Sequence, residues 1–241
     1  MKEFNQKVIE LLNIVEEQET KNIKESAKVI FNALKEDLVL HVFATGHSHM
    51  FCEELFYRAG GLVPINPVLV PALMQHEGAI RSTKLERLSG LAKPIFEGVN
   101  KKVGEPFIIV SNSGINSVPV EMAEIAKENG HPVIVITSVA SSLATKPRTI
   151  NNKRLCEVAD IVIDNHVPVG DGVLLMSDTK VGAVSSIISS YIAQSLVLEI
   201  VKLYEEANIT PPIYKSANTQ GGDEHNKVLY EKYKTRISGL L

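Results

Sequence analysis

Cysteine is scarce in this chain: Cys52 and Cys156 are the two in 241 residues, and they lie too far apart for a CxxC pair. A disulfide framework is excluded, and both thiols are expected to be buried in a protein of a reducing, cytoplasmic compartment. Neither sign of charge is in excess, since 25 basic and 28 acidic residues leave a net charge of −3. The positive field needed to hold a phosphate backbone is missing, so nucleic acid is not an expected partner. No apolar run approaches the roughly 20 residues of a membrane span, and Met1-Lys2-Glu3-Phe4 opens an acidic, amphipathic stretch unlike a signal peptide, so no membrane association is expected. Two nucleotide-binding signatures are also absent: no Gly-Lys-Ser/Thr follows four residues after a glycine, and no Gly-x-Gly-x-x-Gly occurs.

What is present is a chain with 44% hydrophobic residues, long enough for one sizeable α/β domain over residues 1–241, with no composition shift to divide it. Val8, Leu11, Leu12 and Val15 recur at helical spacing, as do Val29, Ile30, Ala33 and Leu34. Residues 1–35 are therefore expected to be one long or two short helices whose apolar stripe packs on this domain or on a second copy. Short apolar runs follow at residues 38–44, 106–110, 132–136 and 160–163, each ending in a polar turn, with a further strand expected at 62–65. Helical segments at 51–58, 118–128 and 184–204 alternate with them, which predicts a parallel sheet covered on both faces over a core of residues 36–206. Residues 71–104 carry some helical pattern without a place in the sheet. Residues 207–226 read as a long polar loop, functional or disordered, within a C-terminal loop and helix spanning 207–241.

Ligands of open α/β sheets bind beyond the carboxyl ends of the strands, so the turns carry the chemistry. Thr45-Gly46-His47-Ser48-His49 and Ser111-Asn112-Ser113-Gly114-Ile115-Asn116-Ser117 each lead from a strand into a helix, where free N–H groups and the dipole favour an anion. Glycine lets the backbone approach an oxyanion, and hydroxyl and amide groups donate to it. The pair describes a phosphate cradle. The alternative is that serine and asparagine merely cap the helices. His47, His49 and Cys52 have the HxH-x2-C spacing of a possible zinc site, but alternate loop residues seldom converge on one ion, and neither a metal nor a cofactor is expected.

Two features strengthen the cradle: the S-x-S-G turn at Ser111 to Gly114, and the helix ending Ala126-Lys127-Glu128-Asn129-Gly130 before the next strand. With the Thr45-Gly46-His47-Ser48 turn and the N-terminal helix, they make the chain resemble the SIS (sugar isomerase) domain family over about residues 38–204. The resemblance implies a three-layer, flavodoxin-like α/β fold, with a five-stranded parallel sheet, helices on both faces and an N-terminal helical extension. It implies a phosphosugar ligand and a homodimer or tetramer. It assigns phosphate binding to Ser48, Ser111, Asn112 and Ser113, and it puts Asn116, with Ser117 beside it, where the family usually has serine or threonine. Gly46 and His47 belong to the same cradle.

Within that family the chain is most similar to phosphoheptose isomerases. Cys52-Glu53-Glu54-Leu55-Phe56-Tyr57-Arg58 resembles their glutamate-bearing helix, which assigns proton transfer to Glu54, although Ser190-Tyr191-Ile192-Ala193-Gln194-Ser195 lacks the histidine those enzymes carry there. A second likeness is to N-acetylmuramic acid 6-phosphate etherases, through Ser177-Asp178-Thr179-Lys180 and, more faintly, Glu77-Gly78; it implies a binding role for Thr179. Isomerisation and elimination both require a base for a weakly acidic C–H and an acid for an oxygen. The carboxylates weighed are Glu54, Glu77 and Glu224. Among histidines, His225, in the polar C-terminal loop, and His49 are candidate partners, His166 is a possible sugar contact, and His41 is expected to be a satisfied core residue. The leading expectation is a sugar-phosphate isomerase working through an enediol; the alternatives are an amino-sugar-phosphate etherase and a non-catalytic phosphosugar sensor.

Overall fold

The computed structural model describes residues 1–240. Helix α1 runs unbroken over Lys2–Leu34, because Val15, Glu19, Ile23, Ala27, Ile30 and Leu34 keep one buried stripe while the charged residues near its middle face outward. The stripe packs on the last long helix and the fifth strand of the same chain, so it does not by itself demand a second copy. The chain then alternates through β1 (Leu40–Ala44), α2 (His49–Leu55), β2 (Ile65–Val68), α3 (Ala79–Leu85), α4 (Ala92–Gly98) and β3 (Phe107–Val110). It continues with α5 (Ser117–Glu128), β4 (Val133–Thr137), α6 (Val139–Leu143), α7 (Leu155–Val158) and β5 (Ile161–Asp164). A hairpin of β6 (Gly172–Met176) and β7 (Thr179–Ala183), then α8 (Ser185–Glu206) and α9 (Gly222–Tyr233), completes the order.

Strands β1 to β5 form one parallel sheet in the order β2-β1-β3-β4-β5. Successive side chains point to opposite faces. Leu40, Val42, Ala44, Ile108 and Ile134 pack under α1, α2 and α8, whereas Phe43, Phe107, Ile109 and Val135 pack against α4, α5 and α7. This three-layer fold is the one expected, with its strands within a few residues of the predicted runs. The second strand is displaced to Ile65–Val68, because Leu62 instead makes an antiparallel bridge to Ile213.

Three segments depart further from expectation. Ser177 and Asp178, both at positive φ (47° and 60°), form the two-residue turn of the β6–β7 hairpin, in place of a lead-in to α8. Residues 207–226 are not a bare loop. Val63 N–H donates to Pro212 O at 2.8 Å and Tyr214 N–H to Gly61 O at 2.9 Å, and α9 begins at Gly222. Residues 71–104 hold two short 3-10 turns, α3 and α4, and α3 reaches the carboxyl end of the sheet. Among the described residues one helix, α8, is long and apolar enough to cross a membrane, contrary to the expectation of none. Its Ile188, Ile192, Leu196 and Ile200 are buried in the core, which accounts for that composition.

The opposite end of the sheet is closed by a buried polar chain. Glu105, with its side chain fully buried, accepts from His41 Nε2 at 2.9 Å and from Arg236 Nη2 at 2.7 and 2.9 Å, while Asn66 Nδ2 lies 2.9 Å from His41 Nδ1. Burial pushes the Glu105 carboxyl up, but the hydrogen bonds from His41, the Lys102 N–H and Arg236 outweigh it and hold the group at about 2. Burial keeps His41 neutral, so it is the satisfied core histidine expected of it. The network fastens the C-terminal segment beneath β1 and β2.

Candidate functional site

The strand order reverses between β1 and β3, so the chain leaves these two strands toward opposite faces and a crevice opens at their carboxyl ends. Both polar turns lie there. They line a cavity of about 250 Å³ with Thr45, Gly46, His47, Ser48, Ser111, Asn112, Ser113 and Asn116, joined by Ser82, Thr83 and Glu86 from the α3 region and by Asp171 and Ser185 near the start of α8. A narrow cleft continues from it between α2 and α8, past Met50, Asn165, Ser186 and Ser189.

The turns leave part of their polar complement free for this space. Neither Ser48 nor Asn116 caps its helix through the side chain, which disposes of the capping alternative for both. Asn165 Nδ2 donates to Asn112 Oδ1 at 3.0 Å, leaving the Asn112 amide N–H groups without a protein acceptor among the described residues. Gly114 sits at φ +60°, and a Cβ there would stand 2.7 Å from Thr137 Oγ1 and 3.2 Å from Ser142 Oγ. Only glycine fits, and its N–H donates to Ser111 Oγ at 3.2 Å. The two turns thus present neutral donors at helix starts, Glu86 and Asp171 share the lining with them, and no lysine or arginine lines the cavity among the described residues.

The family model of the SIS domain matches residues 3–138. The chain belongs to the SIS domain family. A UPF0309 protein of Geobacillus kaustophilus is 40% identical over 99% of this chain and 96% of its own length. One from Caldanaerobacter subterraneus subsp. tengcongensis is 42% identical over 98% of each chain. Among solved structures, a phosphoheptose isomerase from Francisella tularensis superposes with a TM-score of 0.55 at 13% identity, over 83% of this chain and 96% of that one. The sugar isomerase domain of an RpiR transcription factor from Sphaerobacter thermophilus gives 0.53 at 14%, covering 97% of both. At such identities these likenesses speak for the fold alone.

Within this SIS fold the expected residues divide. Gly46, His47, Ser48, Ser111, Asn112, Ser113 and Asn116 all line the cavity. Ser117 does not: it is buried, and its hydroxyl donates to Arg148 O at 3.1 Å. Thr179 stands exposed beside the tip of the β6–β7 hairpin, away from the cavity lining. His225 lies on α9, 2.9 Å from Ile213 O, and faces a different depression beside Tyr204 and Pro212. Glu77 pairs with Arg81 on the surface, and Glu224 is exposed. His49 is buried; its Nδ1–H donates to Gly46 O at 3.0 Å, so it braces the first turn, and Nε2 has no partner among the described residues. Burial lowers its pKa and keeps it neutral. His166 is held between Glu19 of α1, 3.1 Å away, and Asp164. Cys52 Sγ contacts Val42 O beneath β1, so the HxH-x2-C residues do not gather, and among the described residues no group of three metal-ligating side chains forms.

Glu54 lies outside the cavity lining, on the seam of α2 and α8. Gln194 Nε2 donates to its Oε1 at 2.7 Å, and Arg58 pairs with the same oxygen. The residue that sequence reasoning missed is Glu86. It accepts from Thr45 Oγ1 at 2.8 Å and from Asn116 Nδ2 at 2.8 Å, while Arg148 Nη1 donates to Asn116 Oδ1 at 2.7 Å. Nothing around Glu86 in the sequence marks it, since it belongs to the stretch that had no place in the sheet.

Proposed function

We propose that the cavity holds the phosphate of a phosphorylated sugar and that the protein isomerises this sugar by enediol-type proton transfer. The observation that carries the reading is the set of uncommitted donors on Ser48, Asn112 and Ser113 at two helix starts around one cavity. Six residues of helical rise, at about 1.5 Å each, separate Ser48 from Glu54 by about 9 Å along α2. A sugar anchored by its phosphate and extended through the α2–α8 cleft brings its reacting carbons toward Glu54, the base in this reading. Met50 on α2, and Ile187 and Leu198 on α8, are exposed apolar residues that a second copy would cover, as a cytoplasmic homodimer.

A sensor that binds without turnover is the second reading, favoured because α8 carries no histidine and the Glu54 carboxylate is already tied to Gln194 and Arg58. The etherase reading loses weight in its stronger feature, since Ser177 to Lys180 lie at the hairpin tip and do not lead into α8. Thermal-shift screening of sugar phosphates against the unphosphorylated sugars, followed by NMR of any ligand in D₂O, separates these. Stabilisation by phosphorylated sugars alone with exchange of the C2 proton, lost in Glu54→Gln, is the expected result. Stabilisation without exchange establishes the sensor, and indifference to phosphorylation refutes the phosphate site.

A further inference from the structure

Glu86 follows the last residue of α3 and faces the cavity that the two serine-rich turns line. Its oxygens are shared between those turns, Oε2 accepting from Thr45 and Oε1 from Asn116, each at 2.8 Å, and its carbonyl accepts from Val118 N–H at 3.0 Å. The side chain therefore bolts the loop after β1 to the loop after β3. The position is electrostatically odd. An ionised carboxylate on the wall of an anion cradle repels the ligand that the hydroxyls are placed to hold.

The surrounding charges do not remove the conflict. On its own element Arg87 is exposed; from the far side of the second turn Arg148 is engaged with Asn116; His47 of the first turn and Asp171 near α8 face the same cavity. Among the described residues no cation contacts a Glu86 oxygen. Burial pushes the carboxyl above its ordinary range, while the Thr45 hydrogen bond and the fields of Arg87 and Arg148 only partly oppose it.

We propose that Glu86 is a ligand-contacting residue of this pocket, one that takes up a proton as the oxyanion seats and meets the bound phosphate ester as a neutral carboxylic acid. The proton comes from solvent, an O–H bond forms on Glu86, and no covalent bond of the ligand changes. The group that repels the ligand when ionised donates to it once protonated. The inference rests on the phosphate-binding reading of the cavity, and it assigns specificity to a residue that reading did not use.

Inorganic sulfate is the probe, because it is a tetrahedral dianion whose charge stays fixed across the neutral range, whereas phosphate takes up protons of its own. Isothermal titration from pH 5.5 to 8 in wild type and Glu86→Gln is compared. The amide introduced by Glu86→Gln keeps an acceptor and a donor between Asn116 and Thr45, so the bolt between the turns survives. By linkage, log affinity falls with pH at a slope equal to the protons taken up. Every other group that faces the cavity is present in both proteins, so the wild-type slope should exceed that of the variant by up to one, and at pH 8 Glu86→Gln should bind sulfate about tenfold or more tightly than wild type. Equal slopes overturn the proposal. If the variant fails to fold, wild-type titrations at pH 6.5 in buffers of different ionisation heat decide alone, because proton uptake near zero also overturns it. Absence of sulfate and phosphate binding in wild type at any pH is a different failure, that of the phosphate site itself.

Discussion

Replacing Gly114 by alanine tests the second turn at its tightest point. The residue has φ +60°, which costs an L-residue about 1–2 kcal/mol. The new methyl would also stand 2.7 Å from Thr137 Oγ1 and 3.2 Å from Ser142 Oγ, both on buried residues, Thr137 at the end of β4 and Ser142 on α6. Overpacking of this kind adds about 1–3 kcal/mol, giving a total of about 2–5 kcal/mol. For a chain of this size that lowers Tm by roughly 4–20 °C. Gly46→Ala is the internal control, because its φ is +57° yet its Cβ would meet nothing closer than Gln75 Nε2 at 4.0 Å. It should lose about 1–2 kcal/mol from backbone strain alone. Thermal unfolding followed by circular dichroism compares the two. A Gly114→Ala loss no larger than that of Gly46→Ala refutes the claim that packing, beyond φ, dictates this glycine.

Other expectations follow from the same geometry. Ser111→Ala with Ser113→Ala should abolish sulfate and sugar-phosphate binding while leaving Tm within a few degrees, and retained affinity in calorimetry refutes the cradle. Thr179→Ala and His225→Gln should leave sulfate affinity within about twofold of wild type, since neither lines the cavity; a loss of about tenfold shows that a neighbouring subunit carries one of them into the site. Arg236→Ala leaves the buried Glu105 carboxylate without its guanidinium partner and should cost about 3–5 kcal/mol. Glu105 is held at about 2 in the fold, below its unfolded value, so its contribution, on the order of 3 kcal/mol, is complete above the unfolded value and lost as pH falls through about 2. Glu105→Gln should therefore flatten the acid limb of a Tm-versus-pH curve, and an unchanged limb refutes that role.

The sheet was legible because each parallel strand, covered on both faces, leaves an unbroken apolar run: residues 107–110 and 133–137 could be read without neighbours. The position of the two serine-rich turns was legible for a related reason, since the carboxyl end of a strand is announced by where the apolar run stops. The β6–β7 hairpin was not, because β7 is largely exposed and Thr179-Lys180-Val181-Gly182 has no alternation strong enough to betray it. Glu54 and Glu86 show the limit most plainly. A family likeness pointed to Glu54, which the fold sets on a helix seam; Glu86 had no motif around it, and only the packing of α3 over the two turns gives it a position. His225 illustrates the converse: the sequence sets it in a polar loop, whereas the fold places it on α9 with its ring 2.9 Å from Ile213 O.

The two ends of the sheet solve opposite electrostatic problems, and the difference explains the composition of the site. At the amino ends of β1 and β2 the fold buries a full carboxylate, and it needs a guanidinium and an imidazole N–H to make that tolerable. At the carboxyl ends the helix starts already present partial positive charge, so in the proposed phosphate site hydroxyls and amides suffice without a fixed cation. A lysine there would find Glu86 and Asp171 on the same cavity wall and would pair with them while the site stood empty. Neutral donors avoid that competition. In the proposed reading Glu86 is the group on this wall that gains a proton as the anion seats, so an anion that brings no proton of its own is the probe to which this pocket should be most sensitive.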